Sequence, residues 1–184
     1  MAGNGTGETP AMTLQRIRPG FDVVADHSVA GTMLSMLTPD FAQQPRSASI
    51  VVIENGVIDG WNSVPGNLFA TQLRALIVQV KSEGRTPVLT GFARQVPNPI
   101  LDAGKVSLRD NYDLLARSVA DATGTEFADW GSVPFQGAPE LLDGVHPNKG
   151  YSDRLVEQLA LTLDKVDPSC SAPAAASAEV TATN

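Results

Sequence analysis

Two histidines and one cysteine limit the nucleophilic and metal chemistry open to this chain. His146 lies in Leu141-Leu-Asp-Gly-Val-His-Pro147, a loop containing glycine and ended by proline, with Asp143 three residues upstream. In a turn, that spacing lets the carboxylate accept a hydrogen bond from imidazole Nδ1, which fixes the tautomer and leaves Nε2 as a general base. The same pair could simply cap and stabilise the entry to the following helix, and spacing alone does not separate the two roles. Ser28 is either a hydroxyl bordering a site or an ordinary loop serine. His27 has only its neighbour Asp26 at short spacing; adjacent loop residues rarely point the same way, so a partly exposed structural histidine is expected. Two distant histidines and a lone Cys170 offer no metal-ligand spacing. Gly3-Asn-Gly-Thr-Gly7 lacks both the GK[ST] of a phosphate loop and the GxGxxG of a dinucleotide fold, so no cofactor is expected.

These residues need a frame. Ser49-Ile-Val-Val-Ile53 is a continuous β-branched run, the pattern of a strand buried on both faces. Phe21–Ala25, Pro87–Thr90 and Thr125–Asp129 are shorter strand candidates. Thr9-Pro10 has the form of an N-cap followed by proline, opening a helix that runs to about Arg18. Gly31–Leu37 is a second, short helix; Leu68 to Val80 repeats apolar residues at helical spacing before Gly84; Tyr112 to Ala122 does so before Gly124; Leu155 to Leu163 marks the last. Such alternation needs crossover connections, hence a parallel sheet covered on both faces: a three-layer α/β/α fold. Ligands of such sheets sit beyond the carboxyl ends of the strands, which singles out loops 26–31, 54–65, 91–107 and 130–148. Trp61, Phe92, Trp130 and Phe135 fall in those loops, as an apolar ligand wall or as seals on the core.

Length and charge close off other classes. The 184 residues make one domain, expected over 1–167, followed by an Ala/Ser/Pro-rich tail, 168–184, too poor in large apolar groups to order itself and carrying Cys170 as an exposed thiol. With 13 basic against 20 acidic residues, net charge −7, and no basic cluster, neither nucleic acid nor an anionic membrane surface is an expected partner. No apolar run reaches the roughly 18 residues of a membrane span. The first residues lack a secretory pattern, so a soluble cytoplasmic protein is expected as written, and an extracytoplasmic one if the start lies upstream of Met1. No feature sets an oligomeric state.

One family unites the motifs. Asp143-Gly-Val-His146-Pro147-Asn-Lys-Gly-Tyr151, followed by an amphipathic helix, resembles the last signature block of the SGNH (GDSL-type) hydrolases, serine esterases and acyl hydrolases on a flavodoxin-like parallel sheet. Ser49 to Asp59 resembles the third block, a buried strand ending in G-x-N-D. Val23 to Thr32 resembles the second, whose glycine, here Gly31, supplies an oxyanion-hole N–H. Gly3-Asn4-Gly5-Thr6 stands where G-D-S-T/L belongs, so the resemblance covers residues 3–165. It implies a small-molecule acyl ester or acylated carbohydrate as ligand, with His146 as base, Asp143 as its orienter and Gly31 as a backbone donor.

The departures matter as much. The family's nucleophilic serine is Gly5 here, its aspartate neighbour is Asn4, and its oxyanion-hole asparagine is Ile58. Loss of a triad member leaves about 10³–10⁴-fold catalysis over water, and loss of an oxyanion donor costs about 10²–10³ more. A weak or inactive carboxylic-ester hydrolase is therefore expected, with Ser28 or a water replacing the nucleophile, or else a non-catalytic relative that binds an acyl or carbohydrate ligand. Thr6, one residue past the nucleophile position, is expected to be a polar turn residue. The family's first block ends a central strand, yet only Met1 and Ala2 precede Gly3; a first strand cut short would leave unpaired backbone groups beside its neighbours.

Overall fold

A computed structural model of the chain describes residues 6–170. Its helices begin where local chemistry satisfies the unpaired N–H groups of a first turn. Thr9 Oγ1 accepts from Met12 N at 3.2 Å and Pro10 follows it, opening α1 (Pro10–Ile17). Asp102 caps α5 (Ala103–Thr123) through Lys105 N at 2.8 Å, and Asn148 caps α6 (Lys149–Val166) through Tyr151 N at 2.9 Å. Between them lie α2 (Leu34–Gln43), β1 (Ile50–Ile53), α3 (Val57–Trp61), α4 (Gly66–Ser82), β2 (Thr86–Thr90) and β3 (Glu126–Ala128).

The strands form a parallel sheet in the order β1-β2-β3, with Ile50 opposite Thr86 and Thr90 opposite Ala128. Two apolar clusters cover its faces. On one side α2, α4 and α5 bury Leu34, Phe69, Leu73, Ile77, Tyr112 and Val119 against Ile53 and Leu89. On the other, α1 and α6 bury Leu14, Tyr151, Leu155 and Leu159 against Val88 and Ala128. Each large apolar side chain so buried contributes about 1.5–3 kcal/mol. The three layers match the expected α/β/α architecture, built among the described residues on three parallel strands.

Several local expectations need correction. Phe21–Ala25 is not a strand; Asp22 to Ala30 carries no regular structure. Ser49–Ile53 is not buried on both faces either, since Val52 is 39% exposed. Among the described residues β1 pairs only with β2, and the 21–25 segment pairs with no strand. The second helix begins at Leu34 rather than Gly31, and its first N–H is satisfied by the distant Asp59 carboxylate. Cys170, expected exposed, is half-buried in a 3₁₀ turn, Pro168–Cys170, that packs on α6. The rest of the expected tail, 171–184, lies outside the described residues. Among the described residues no helix is long and apolar enough to cross a membrane.

Candidate functional site

The loop before α6 folds back on itself: Leu141 bridges Pro147, and Leu142 N donates to His146 O at 2.8 Å. Inside this hairpin Asp143 collects three donors. Its Oδ1 accepts from Val145 N at 3.0 Å and His146 N at 2.8 Å, and its Oδ2 lies 2.7 Å from His146 Nδ1. These bonds hold the Asp143 carboxyl down at about 2, the backbone N–H of His146 contributing most. An anionic acceptor at Nδ1 selects the tautomer with its proton on that nitrogen, so Nε2 is the basic ring position. The imidazole side chain is 25% exposed.

His146 borders a cavity of about 710 Å³ that β1 also lines through Ile50 to Ile53. Its walls are mainly apolar, from Phe21, Leu34, Phe41, Ile50 and Leu163 among others. Four buried polar atoms of lining residues have no hydrogen-bond partner among the described residues: Asn55 Oδ1, Trp61 Nε1, Thr90 Oγ1 and Trp130 Nε1. Thr90 ends β2 and Asn55 follows β1, so both lie where a parallel sheet places its ligands.

Each candidate residue can now be placed. Asp143 and His146 are brought together, and Gly31 lines the same cavity with a φ of +72°. Its loop is tied to the end of β1 through Asn55 Nδ2, which donates to Thr32 O at 3.3 Å. Ser28 lines the cavity too, but it is exposed, its N–H turned onto Asp26 Oδ1 at 3.0 Å, and no hydrogen bond joins it to His146. Ile58 stands in α3 on the cavity wall. Gly5 and Asn4 lie outside the described residues. Thr6 makes a local turn, its Oγ1 donating to Glu8 O at 2.9 Å.

Asp59 acts on a distant helix. It is fully buried, and both its oxygens lie 3.2 Å from Leu34 N, so it caps a helix 25 residues upstream. Burial pushes its pKa up. Of the four loop aromatics, Phe92 and Trp130 are buried core that also line the cavity, Trp61 lines it, and Phe135 instead packs on Tyr151 with ring centroids 5.0 Å apart. Sequence reading passed over Asn55; its signal was position alone, a side-chain amide at the carboxyl end of the clearest strand.

The sequence model of the GDSL-like lipase/acylhydrolase family matches residues 2–151. No curated protein matches the chain. Among solved structures, a G-D-S-L family protein from Desulfitobacterium hafniense superposes with a TM-score of 0.67 at 16% identity, over 83% of this chain and 87% of that one. The acetylxylan esterase Axe2 from Geobacillus stearothermophilus superposes at 0.63 with 18% identity, over 84% and 78%. Structures of that esterase include catalytic mutants in which a serine or a histidine is replaced by alanine. A GDSL-like lipase from Bacteroides thetaiotaomicron superposes at 0.60 with 17% identity, over 74% and 73%.

Proposed function

Because this chain belongs to the GDSL-like lipase/acylhydrolase family, we propose that its cavity receives a small carboxylic acyl ester, free or on a carbohydrate, and that His146 acts there as a general base. The observation that carries the reading is the 2.7 Å contact between Asp143 Oδ2 and His146 Nδ1 at the border of the cavity. In the reaction Nε2 takes a proton from a water, or from Ser28, as the oxygen attacks the ester carbonyl; the tetrahedral oxyanion accepts from a backbone donor such as Gly31 N–H; collapse expels the alcohol, which regains the proton from the imidazolium, and where Ser28 attacked, a water activated by the same base then cleaves the acyl-serine to the acid and the free hydroxyl. Asp143 keeps Nδ1 protonated and stabilises the imidazolium.

With Gly5 and Ile58 at the nucleophile and oxyanion positions, this copy is a weak hydrolase. Those two residues also favour a second reading, a pseudoenzyme that retains the cleft for an acyl or carbohydrate ligand and turns nothing over. Hydrolysis of an aryl acetate by the purified chain, beside His146→Ala, separates them. Turnover lost in the variant supports the hydrolase. Equal background rates from two folded samples would leave the binding reading, to be checked by saturable binding of an acetylated oligosaccharide.

A further inference from the structure

We infer that Asn98 and Gln95, in the loop after β2, are positioning residues that set the orientation of His146 through the two peptide groups preceding it. Asn98 Nδ2 donates to Gly144 O at 2.6 Å, and Gln95 Nε2 donates to Val145 O at 3.1 Å. A trans peptide points its C=O and N–H in opposite directions. The N–H groups across those two peptides belong to Val145 and His146, the pair that donate to Asp143 Oδ1. Each peptide is thus gripped at both ends: a side-chain amide of the 95–98 segment holds the oxygen, and Asp143 holds the N–H. The ring contact at Nδ1 is built on this doubly held backbone.

The clamp is itself well supported. Asn98 Oδ1 accepts from Ile100 N at 2.9 Å and Leu101 N at 3.1 Å, while Nδ2 also donates to Val96 O at 3.1 Å. Its amide capacity is fully used, and exchanging oxygen with nitrogen would set like against like at every partner. Gln95 is buried, and Arg94 N adds a third tie by donating to the Tyr151 hydroxyl at 2.8 Å. Gly144 completes the fit: its φ is +82°, and a Cβ there would stand 2.9 Å from Asn98 Nδ2. Neither Asn98 nor Gln95 has a hydrogen bond to the imidazole, so both act through the backbone.

The inference rests on His146 being the base, and its test is read independently of turnover. The full chain labelled with ¹⁵N-histidine gives signals from only two residues, His27 and His146. At about pH 8, above the ordinary imidazole range, long-range ¹⁵N–¹H spectra should show His146 in the Nδ1–H form. Asn98→Asp keeps the acceptor bonds to Ile100 and Leu101 and removes the donation to Gly144; Gln95→Leu removes only the bond to Val145. Either variant, folded by circular dichroism, should move His146 toward a mixture of tautomers while His27 stays unchanged. Where the wild type hydrolyses aryl acetate, kcat should fall about 10–100-fold with KM nearly constant. Unchanged His146 signals in a folded variant would overturn the inference, and should Asn98→Asp fail to fold, Gln95→Leu decides it. Background hydrolysis by a wild type whose His146 tautomer is ordered would refute the esterase reading alone.

Discussion

Replacing Gly56 by alanine tests whether the turn between β1 and α3 is as tightly built as its geometry demands. Gly56 has a φ of +138°, and a Cβ added to it would lie 2.5 Å from Phe92 Cζ and 2.8 Å from two atoms of the Phe69 ring. Ordinary contact begins at 3.4 Å, so the Phe92 ring would have to retreat by about 0.9 Å and that of Phe69 by about 0.6 Å. Both rings are buried in one cluster, Phe69 held against Tyr112 with ring centroids 5.0 Å apart and Phe92 bordering the cavity. Overpacking of this kind costs about 1–3 kcal/mol, and a side chain held at such a φ about 1–3 kcal/mol more. The sum, roughly 4 kcal/mol, is a large part of the ~5–15 kcal/mol that stabilises a folded domain, and corresponds to a Tm lower by about 8–16 °C. Urea unfolding followed by fluorescence of Trp61 and Trp130 measures it. Adding Phe92→Leu should return part of the loss, because the two sites couple through one contact. A loss below ~1 kcal/mol with native fluorescence would refute the packing argument, and a double variant that gains nothing would refute its steric half.

Three further outcomes are expected. Asp59→Asn should be at least as stable as wild type at pH 7, because it keeps an acceptor for Leu34 N without a buried charge, whereas Asp59→Leu should lose about 1–3 kcal/mol. Since burial raises the Asp59 pKa, its folded form binds more protons than the unfolded chain, so wild type should lose ground to Asp59→Asn as pH rises from 4 to 7 in paired urea titrations. Asp143 has the opposite sign: held at about 2, its contribution is present above the ordinary carboxylate range near pH 4 and should vanish as pH falls from there toward 2. The stability gap between wild type and Asp143→Asn should close over that window, and a gap that stays constant would contradict it. Finally, acetyl aryl esters should inhibit or react better than octanoyl ones of equal solubility, because the cavity wall carries unpaired polar atoms that an alkyl chain cannot satisfy; a clear octanoyl preference would count against it.

What was legible in the sequence was local. Thr9-Pro10 announced α1 because a cap and its donor are three residues apart, and the spacing of Leu73, Ile77 and Val80 announced α4 because one helix face buries all three. Asp143 and His146 were legible for the same reason, since their contact spans a single turn. The groups around the site were not. Asn98 reaches Gly144 across 46 positions and Gln95 reaches Val145 across 50, and no periodicity in either segment foretells the pairing. Asp59 likewise reads as part of its own loop, while the N–H that it satisfies belongs to a helix that precedes it in sequence. The late start of α2 follows from that contact and from no signal within residues 31–37.

The run Ser49–Ile53 shows the limit most clearly, and it bears on function. Its β-branched residues say that this segment is a strand; they cannot say how many neighbours it has. With β2 as its one neighbour among the described residues, β1 contributes Ile50 to Ile53 to the cavity that His146 borders. A mainly apolar cavity whose wall also carries unpaired polar atoms is a mixed environment for an alkyl chain. Each N–H or C=O dried out without a partner costs about 1–3 kcal/mol, whereas an added methylene returns only about 0.8 kcal/mol. A ligand that brings its own donors and acceptors, such as a short acyl group on a hydroxyl-rich carrier, avoids that cost and also answers the unpaired Asn55, Trp61, Thr90 and Trp130 atoms. On the proposed reading, the unpaired polar atoms on the cavity wall favour a short acyl group on such a carrier over a long alkyl chain.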